Sequence, residues 1–252
     1  MHDILMTGSV VKKFGELRAV DGVSIKVEKG LVSLLAGPNG SGKTTLINVI
    51  SGYYKPDSGK VYFKGNDITG LPMNLIYKQG LVRTFQIPAP FGKMSVLENL
   101  LVVSRNNPGE SLFGHLNKRL WSKTERESID EAFEILKMLG LEDVWDREAR
   151  TLSTAQLKLL EIGRALMSQA EMVILDEPIA GVNPKAAHEI FSHITTLRDK
   201  LGISFLIIEH RLDVALKYVD RVFVISEGNI IYDGDPINVV KNETVRRIYL
   251  GE

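Results

Sequence analysis

The chain has 252 residues, 44% of them hydrophobic, and carries 31 Lys and Arg against 31 Asp and Glu, so its formal net charge is zero. That size suits one large α/β domain or a core domain with a smaller one inserted, and the balanced charge gives no pull toward nucleic acid or an anionic membrane surface. Cysteine is absent, which excludes disulfides and thiolate metal sites and fits a reducing compartment.

The start, MHDILMTGSVVKKFG, lacks the long apolar region and small-residue cleavage site of a secretory signal. No apolar run reaches the roughly 18 residues needed to cross a bilayer, so a cytosolic protein is expected, with any membrane role coming through a partner. The apolar run VSLLAG at 32–37 predicts a buried strand. Residues 37–45, GPNGSGKTT, follow it and lead into a helical run. From 88 to 163 the pattern turns helical, as in Ile129, Ala132, Phe133 and Leu136, with no convincing buried strand, which predicts an inserted helical subdomain. Within it NNPGESLFGHLNKRLWSKTERE is polar, charged and turn-rich, and is expected as a solvated loop or short helices.

At 152–166 the chain reads LSTAQLKLLEIGRAL. Ser153 can cap a helix whose apolar face carries Leu159, Ile162 and Leu166, with Ala155 one turn earlier, and an exposed helix start is a ready anion site. Further buried strands are predicted at MVILDE (172–177), SFLIIEH (204–210) and RVFVIS (221–226). Between the first two, Asn183 caps and Pro184 opens a helix with Ile190, Ile194, Leu197 and Leu201 at helical spacing. Alternating strands and helices argue a mainly parallel sheet. The expected organisation is one domain over 1–252, with a core formed by 1–87 and 164–252 and a helical subdomain at 88–163.

The strongest local signal is the run from Gly37 to Thr45, which matches the P-loop pattern after a strand and before a helix. Its glycines let backbone N–H groups curl around phosphate oxygens without Cβ interference. Lys43 is expected to reach the β- and γ-phosphates as a point charge, and the Thr44 hydroxyl to hold Mg²⁺. MVILDEP ends a predicted strand in two carboxylates. Asp176 suits a Mg²⁺ partner at the strand tip, which leaves Glu177 to orient and deprotonate the attacking water.

P-loop, LSTAQ and acidic strand end, in that order, resemble the ATP-binding subunits of ATP-binding cassette (ABC) transporters over essentially the whole chain. The resemblance implies an α/β P-loop NTPase core with a mainly parallel sheet, an antiparallel β subdomain near the N-terminus and an inserted α-helical subdomain. It implies ATP held by Gly37, Pro38, Asn39, Gly40, Ser41, Gly42, Lys43, Thr44 and Thr45, with Phe14 stacked on adenine and Val20 adding apolar contact. Gln86, in RTFQ, matches the glutamine that touches Mg²⁺ or the lytic water. Asn183 falls in the loop after the acidic pair, and His210 matches the histidine that contacts the γ-phosphate. His2, His115, His188 and His193 have no comparable context and are expected at the surface or in packing.

Two such subunits, identical or paralogous, are implied to close head to tail around two ATP molecules, so that Ser153, Ala155 and Gln156 serve an ATP on the other chain's P-loop. The implied setting is the cytoplasmic face of a membrane, with permease subunits as partners, an external solute-binding protein met indirectly and no nucleic acid. RAVDGVS, AGPNGSGKTTLINVISG, RTFQIPAPFGKMSVLENLLV, AGVNP, IIEH and the terminal YLGE resemble the ATP-binding subunits of high-affinity importers of branched-chain amino acids, and importers of urea or short amides share much of this pattern. A soluble cassette ATPase of DNA repair or translation is the alternative, opposed by the balanced charge, single cassette and lack of a basic arm. A regulator with little hydrolysis is opposed by the retained Glu177 and His210.

Four positions depart from the family pattern, the first being Thr154 at the first glycine of LSGGQ. Ala155 stands where the second glycine of LSGGQ is usual, Gly163 replaces a common alanine at a helix-propensity cost of about 1 kcal/mol, and Arg211 replaces an acid. The altered signature predicts that this chain's own P-loop site is competent and the opposite site weaker.

Overall fold

The computed structural model describes residues 2–84, 88–104 and 118–250, with side chains except at 118–124 and 249–250. The chain opens with β1 (Asp3–Phe14), β2 (Leu17–Val23) and β3 (Lys26–Glu28), then β4 (Val32–Ala36) and α1 (Lys43–Ile50). β5 (Ser58–Phe63), β6 (Asn66–Asp67), α2 (Met73–Lys78) and β7 (Leu81–Arg83) follow. The helical part holds α3 (Val96–Leu101), α4 (Lys118–Met138), two 3₁₀ turns and α5 (Thr154–Met167). The chain then returns through β8 (Met172–Asp176), α6 (Pro184–Leu201), β9 (Ser204–Ile208), α7 (Leu212–Ala215) and β10 (Arg221–Ser226) to β11 (Asn229–Gly234), α8 (Pro236–Val239) and α9 (Glu243–Leu250).

Two sheets result. The first runs β2-β1-β5-β6 with β3 also on β1, antiparallel throughout. The second runs β11-β10-β4-β9-β8-β7 and is parallel except for the β10–β11 edge pair. All four predicted strands are present, and β4, β8 and β9 are buried at every position, as a parallel strand covered on both faces requires.

Side chains alternate across that sheet and divide the core in two. Leu35, Ile174, Leu206 and Phe223 face a layer that includes α1 and the antiparallel sheet, while Leu34, Leu175, Phe205 and Val224 face the helices. In strand order, β9 lies between β4 and β8. Their register pairs Leu35 with Ile208 and Ile208 with Asp176, so the segments after Ala36, Ile208 and Asp176 leave one edge of the sheet side by side. In open α/β sheets this carboxyl edge is where ligands bind.

The segment 88–163 is helical among its described residues, apart from an isolated bridge between Ser95 and Glu148. α5 continues unbroken through residue 163 to Met167, so the expected boundary falls inside a helix. The solvated loop expected at 106–127 lies partly outside the described residues, and from Lys118 the chain is a single 21-residue helix. Gly163 has a packing reason: a Cβ there would stand 3.0 Å from methyl groups of both Leu100 and Leu139. α6 begins as expected, with the Asn183 side chain accepting from the Ala186 N–H at 2.9 Å and Pro184 in first place, although Leu201 at its end is exposed.

Candidate nucleotide site

The loop between β4 and α1 is shaped by glycines that nothing larger can replace. A Cβ on Gly37 would sit 2.2 Å from the Ile225 carbonyl oxygen, and one on Gly42, at φ +105°, 2.3 Å from that of Ala19. Asn39, Gly40 and Thr44 are exposed, Pro38, Gly42 and Thr45 half-buried, and Gly37, Ser41 and Lys43 buried. The Lys43 ammonium donates to the carbonyls of Gly37 and Pro38, both at 2.8 Å. Burial lowers its pKa, and the charges of Glu177 and Asp176 oppose that shift. The Ser41 hydroxyl is buried with no protein partner, a state that normally requires a missing hydrogen-bonding group; a phosphate oxygen fits.

Asp176 ends β8 nearly buried, and its Oδ2 accepts from the Arg83 guanidinium at 2.8 Å. Arg83, on β7, also donates to the side chains of Asn48 on α1 and Ser51 just after it. This arginine thus joins the strand of the predicted metal partner to the P-loop helix. Local sequence does not reveal it, since the contact spans 93 residues; the only signal is a charged residue inside the short apolar stretch LVRTF.

Glu177 follows at φ +48°, a left-handed conformation uncommon for a residue with a side chain. Its N–H donates to the Ile208 carbonyl at 3.0 Å, and its own carbonyl accepts from Ala180 N–H at 3.1 Å. His210, half-exposed on the segment after β9, places Nδ1 3.9 Å from both Glu177 Oε1 and Glu209 Oε2. Two residues unassigned from sequence complete this corner. Glu209 is 1% exposed, accepts from Ile179 and His210 N–H groups at 3.2 Å each, and has its pKa raised chiefly by burial. Lys158 of α5 is 6% exposed and donates to the Glu177 carbonyl at 3.2 Å. The sequence signals were a carboxylate closing SFLIIE and a lysine among the leucines of QLKLLE.

Phe14 ends β1 half-exposed, with Tyr54 edge-on at 5.3 Å and the Lys12 ammonium 5.7 Å from its ring centre. Its hairpin meets the P-loop at Ala19, whose carbonyl lies against Gly42, and meets the turn between β10 and β11 through Asp21 N–H, which donates to the Gly228 carbonyl at 2.9 Å. Val20 corrects the expectation: it is fully buried in the core and presents no face to a ligand. Gln86 lies outside the described residues, as does His115. His188 meets the Tyr218 hydroxyl at 2.9 Å and His193 the Met138 carbonyl at 2.7 Å, both packing roles.

The signature residues stand apart from the P-loop. Ser153 Oγ accepts from Gln156 N–H while Gln156 Oε1 accepts from Ser153 N–H, a reciprocal cap. Ala155 is second in α5 and absent from the positive-φ residues, so its methyl strains nothing within this chain. Ser153, Ala155 and Gln156 line an open cleft of about 510 Å³ with Gly181, Asn183 and His193, and no P-loop residue reaches it. A larger cleft, about 680 Å³, is lined by Lys64, Gly80 and Glu171 near the starts of β7 and β8, the opposite edge from the P-loop, and contains no predicted site residue.

A P-loop on a parallel α/β core, with an acidic pair and a histidine at neighbouring strand ends, defines a P-loop nucleoside triphosphatase. Residues 20–180, more than half the chain, match the ABC transporter family, and the chain belongs to it as an ATP-binding, ATP-hydrolysing subunit. Over 99% of its length it is 51% identical to a probable branched-chain amino acid transport ATP-binding protein LivG of Methanocaldococcus jannaschii, covering 98% of that protein. A high-affinity branched-chain amino acid transport ATP-binding protein, BraF of Pseudomonas aeruginosa, is 37% identical over 99% of this chain and 98% of its own. Among solved structures, an ABC transporter cassette in an ADP conformation superposes with TM-score 0.86 at 50% identity, and a nucleotide-free cassette with TM-score 0.84 at 51%, each covering both chains fully.

Proposed function

We propose that this chain powers the import of branched-chain amino acids from the cytoplasmic face of a membrane, bound to permease subunits and to a second ATPase subunit head to tail. The carrying observation is the convergence of the P-loop, Asp176–Glu177 and His210 on one edge of the sheet. The solute follows from what the LivG- and BraF-type relatives are named for. Among the described residues no helix is long and apolar enough to cross a membrane.

In the mechanism, backbone N–H groups of 37–45 and the Lys43 ammonium hold the phosphates, and Phe14 stacks on adenine. Glu177, fixed by its backbone bonds, takes a proton from the attacking water, and His210 donates toward the γ-phosphate. Among the described residues no cluster of three or more acids and histidines forms a metal cage. Mg²⁺ would be held, as it usually is, through one carboxylate and the substrate's phosphates, with Asp176, Thr44 and Gln86 as its protein partners. When bound it neutralises charge that develops on the transferring phosphate. Ser153, Ala155 and Gln156 serve the ATP on the second subunit.

The test is co-purification from membranes with a polytopic permease, followed by uptake assays in reconstituted vesicles. ATP-driven uptake of leucine, isoleucine or valine that Lys43→Ala abolishes is expected. Uptake of urea or short amides instead would overturn the solute, and absence of any permease the transport role.

A further inference from the structure

Lys158 is buried on the same helix that carries the exposed signature cap, and its charge points into the corner made by the segments after β8 and β9. A buried ammonium is costly unless it is paired and hydrogen-bonded. Its charge here is answered by Glu209, Glu177, Asp176 and Glu161, which oppose the lowering of its pKa by burial. Lys158 donates to a backbone atom, the carbonyl of Glu177, at 3.2 Å, and the left-handed φ of +48° at Glu177 is a conformation that surrounding contacts must enforce. Those contacts come from three directions: Ile208 holds the N–H side of Glu177, Ala180 and Lys158 hold the carbonyl, and Glu209 holds Ile179 two residues on. Among these contacts of the described residues, the one from Lys158 comes from the helical part of the molecule.

We propose that Lys158 is a positioning residue that ties α5 to the backbone of Glu177, so that the helix presenting the signature to one ATP and the base serving another move as one body. The inference rests on the proposed role of Glu177. A signature helix displaced by ATP on the second subunit would drag the Glu177 turn with it through this bond. α5 is a continuous 14-residue element and so can act as a lever, and a misplacement of about 1 Å at a reacting group lowers rate on the order of 100-fold.

The experiment pairs Lys158→Met, which keeps the packing stem and removes the donor, with Lys158→Arg, which restores one. Amide hydrogen exchange is read first, on the nucleotide-free chain, where it does not depend on ATP binding or transport. Lys158→Met is expected to speed exchange across 176–181 by about 10-fold and leave 154–167 as in the parent, with Lys158→Arg reversing part of the change. In the assembled transporter the same variant should lower kcat about 10- to 100-fold with KM for ATP unchanged. Unaltered exchange at 176–181, or equal loosening of the whole of α5 with kcat and KM changing together, overturns the proposal. Failure of the parent chain to bind ATP would instead strike at the proposed function and leave the exchange result standing.

Discussion

At the P-loop, Ser41 and Lys43 are buried and Lys43 is already bonded to two carbonyls, whereas at the start of α5 Ser153 and Thr154 are exposed and Ser153 is engaged with Gln156. The first is a nearly complete cradle whose shape is set by backbone packed on backbone. The second is one wall, a capped helix end on an open cleft. On the proposed function the difference gives a substitution at each a different reach: a change in the cradle acts on this chain's own ATP, and a change in the wall on another chain's. It also explains why Ala155 survives in place of glycine. In ordinary helical geometry the methyl costs this chain nothing, and any penalty falls on whatever approaches the cap.

The strongest way to break this division is Glu177→Gln, which keeps shape and removes the base. Loss of a general base costs about 10²–10⁴-fold, so hydrolysis at this chain's site should nearly vanish while nucleotide binding persists. Phosphate release by the reconstituted pair measures it. Substantial residual turnover, together with a strong defect from disabling the second subunit's own catalytic glutamate, would show the other site to be the stronger and end the asymmetry.

A smaller effect distinguishes backbone packing from side-chain packing. Gly42→Ala forces a Cβ onto the Ala19 carbonyl at φ +105°, so nucleotide affinity should fall with a large loss of stability. Gly163→Ala meets side-chain methyl groups, those of Leu100 and Leu139 at 3.0 Å and of Ile135 at 3.4 Å. It gains about 1 kcal/mol of helix propensity against an overpacking cost of about 1–3 kcal/mol. The net expectation is a melting point lower by a few degrees and unchanged nucleotide affinity. A raised melting point would mean the leucines move aside freely.

Legibility from sequence follows the same division between local and distant causes. β4, β8, β9 and β10 were readable because strands covered on both faces are unbroken apolar runs. The antiparallel sheet was expected only as a whole: β1 shifts register against both β2 and β5, which interrupts the alternation that marks a strand, and β6 and β7 are too short to show any period. The P-loop and the Asn183 cap are local chemistry and were fully legible. Val20 was misplaced because a motif gives proximity and says nothing of which way a side chain faces. Arg83, Lys158 and Glu209 escaped because each acts through a partner on another element, which periodicity does not record.

The finest test of the comparison is Ala155→Gly. In this chain it exchanges a residue with ordinary helical φ for one that costs up to about 1 kcal/mol in a helix interior, and less in the first turn. The melting point should therefore move by a degree or two at most, downward. ATP affinity at this chain's P-loop should not change, since no P-loop residue lines the cleft that Ala155 lines. Turnover by the assembled pair should rise, because removing the methyl lets the first N–H groups of α5 come closer to an anion. A fall in turnover, or a change in this chain's own nucleotide affinity, would mean that the cap is part of the chain's own site and that the separation between cradle and wall is wrong.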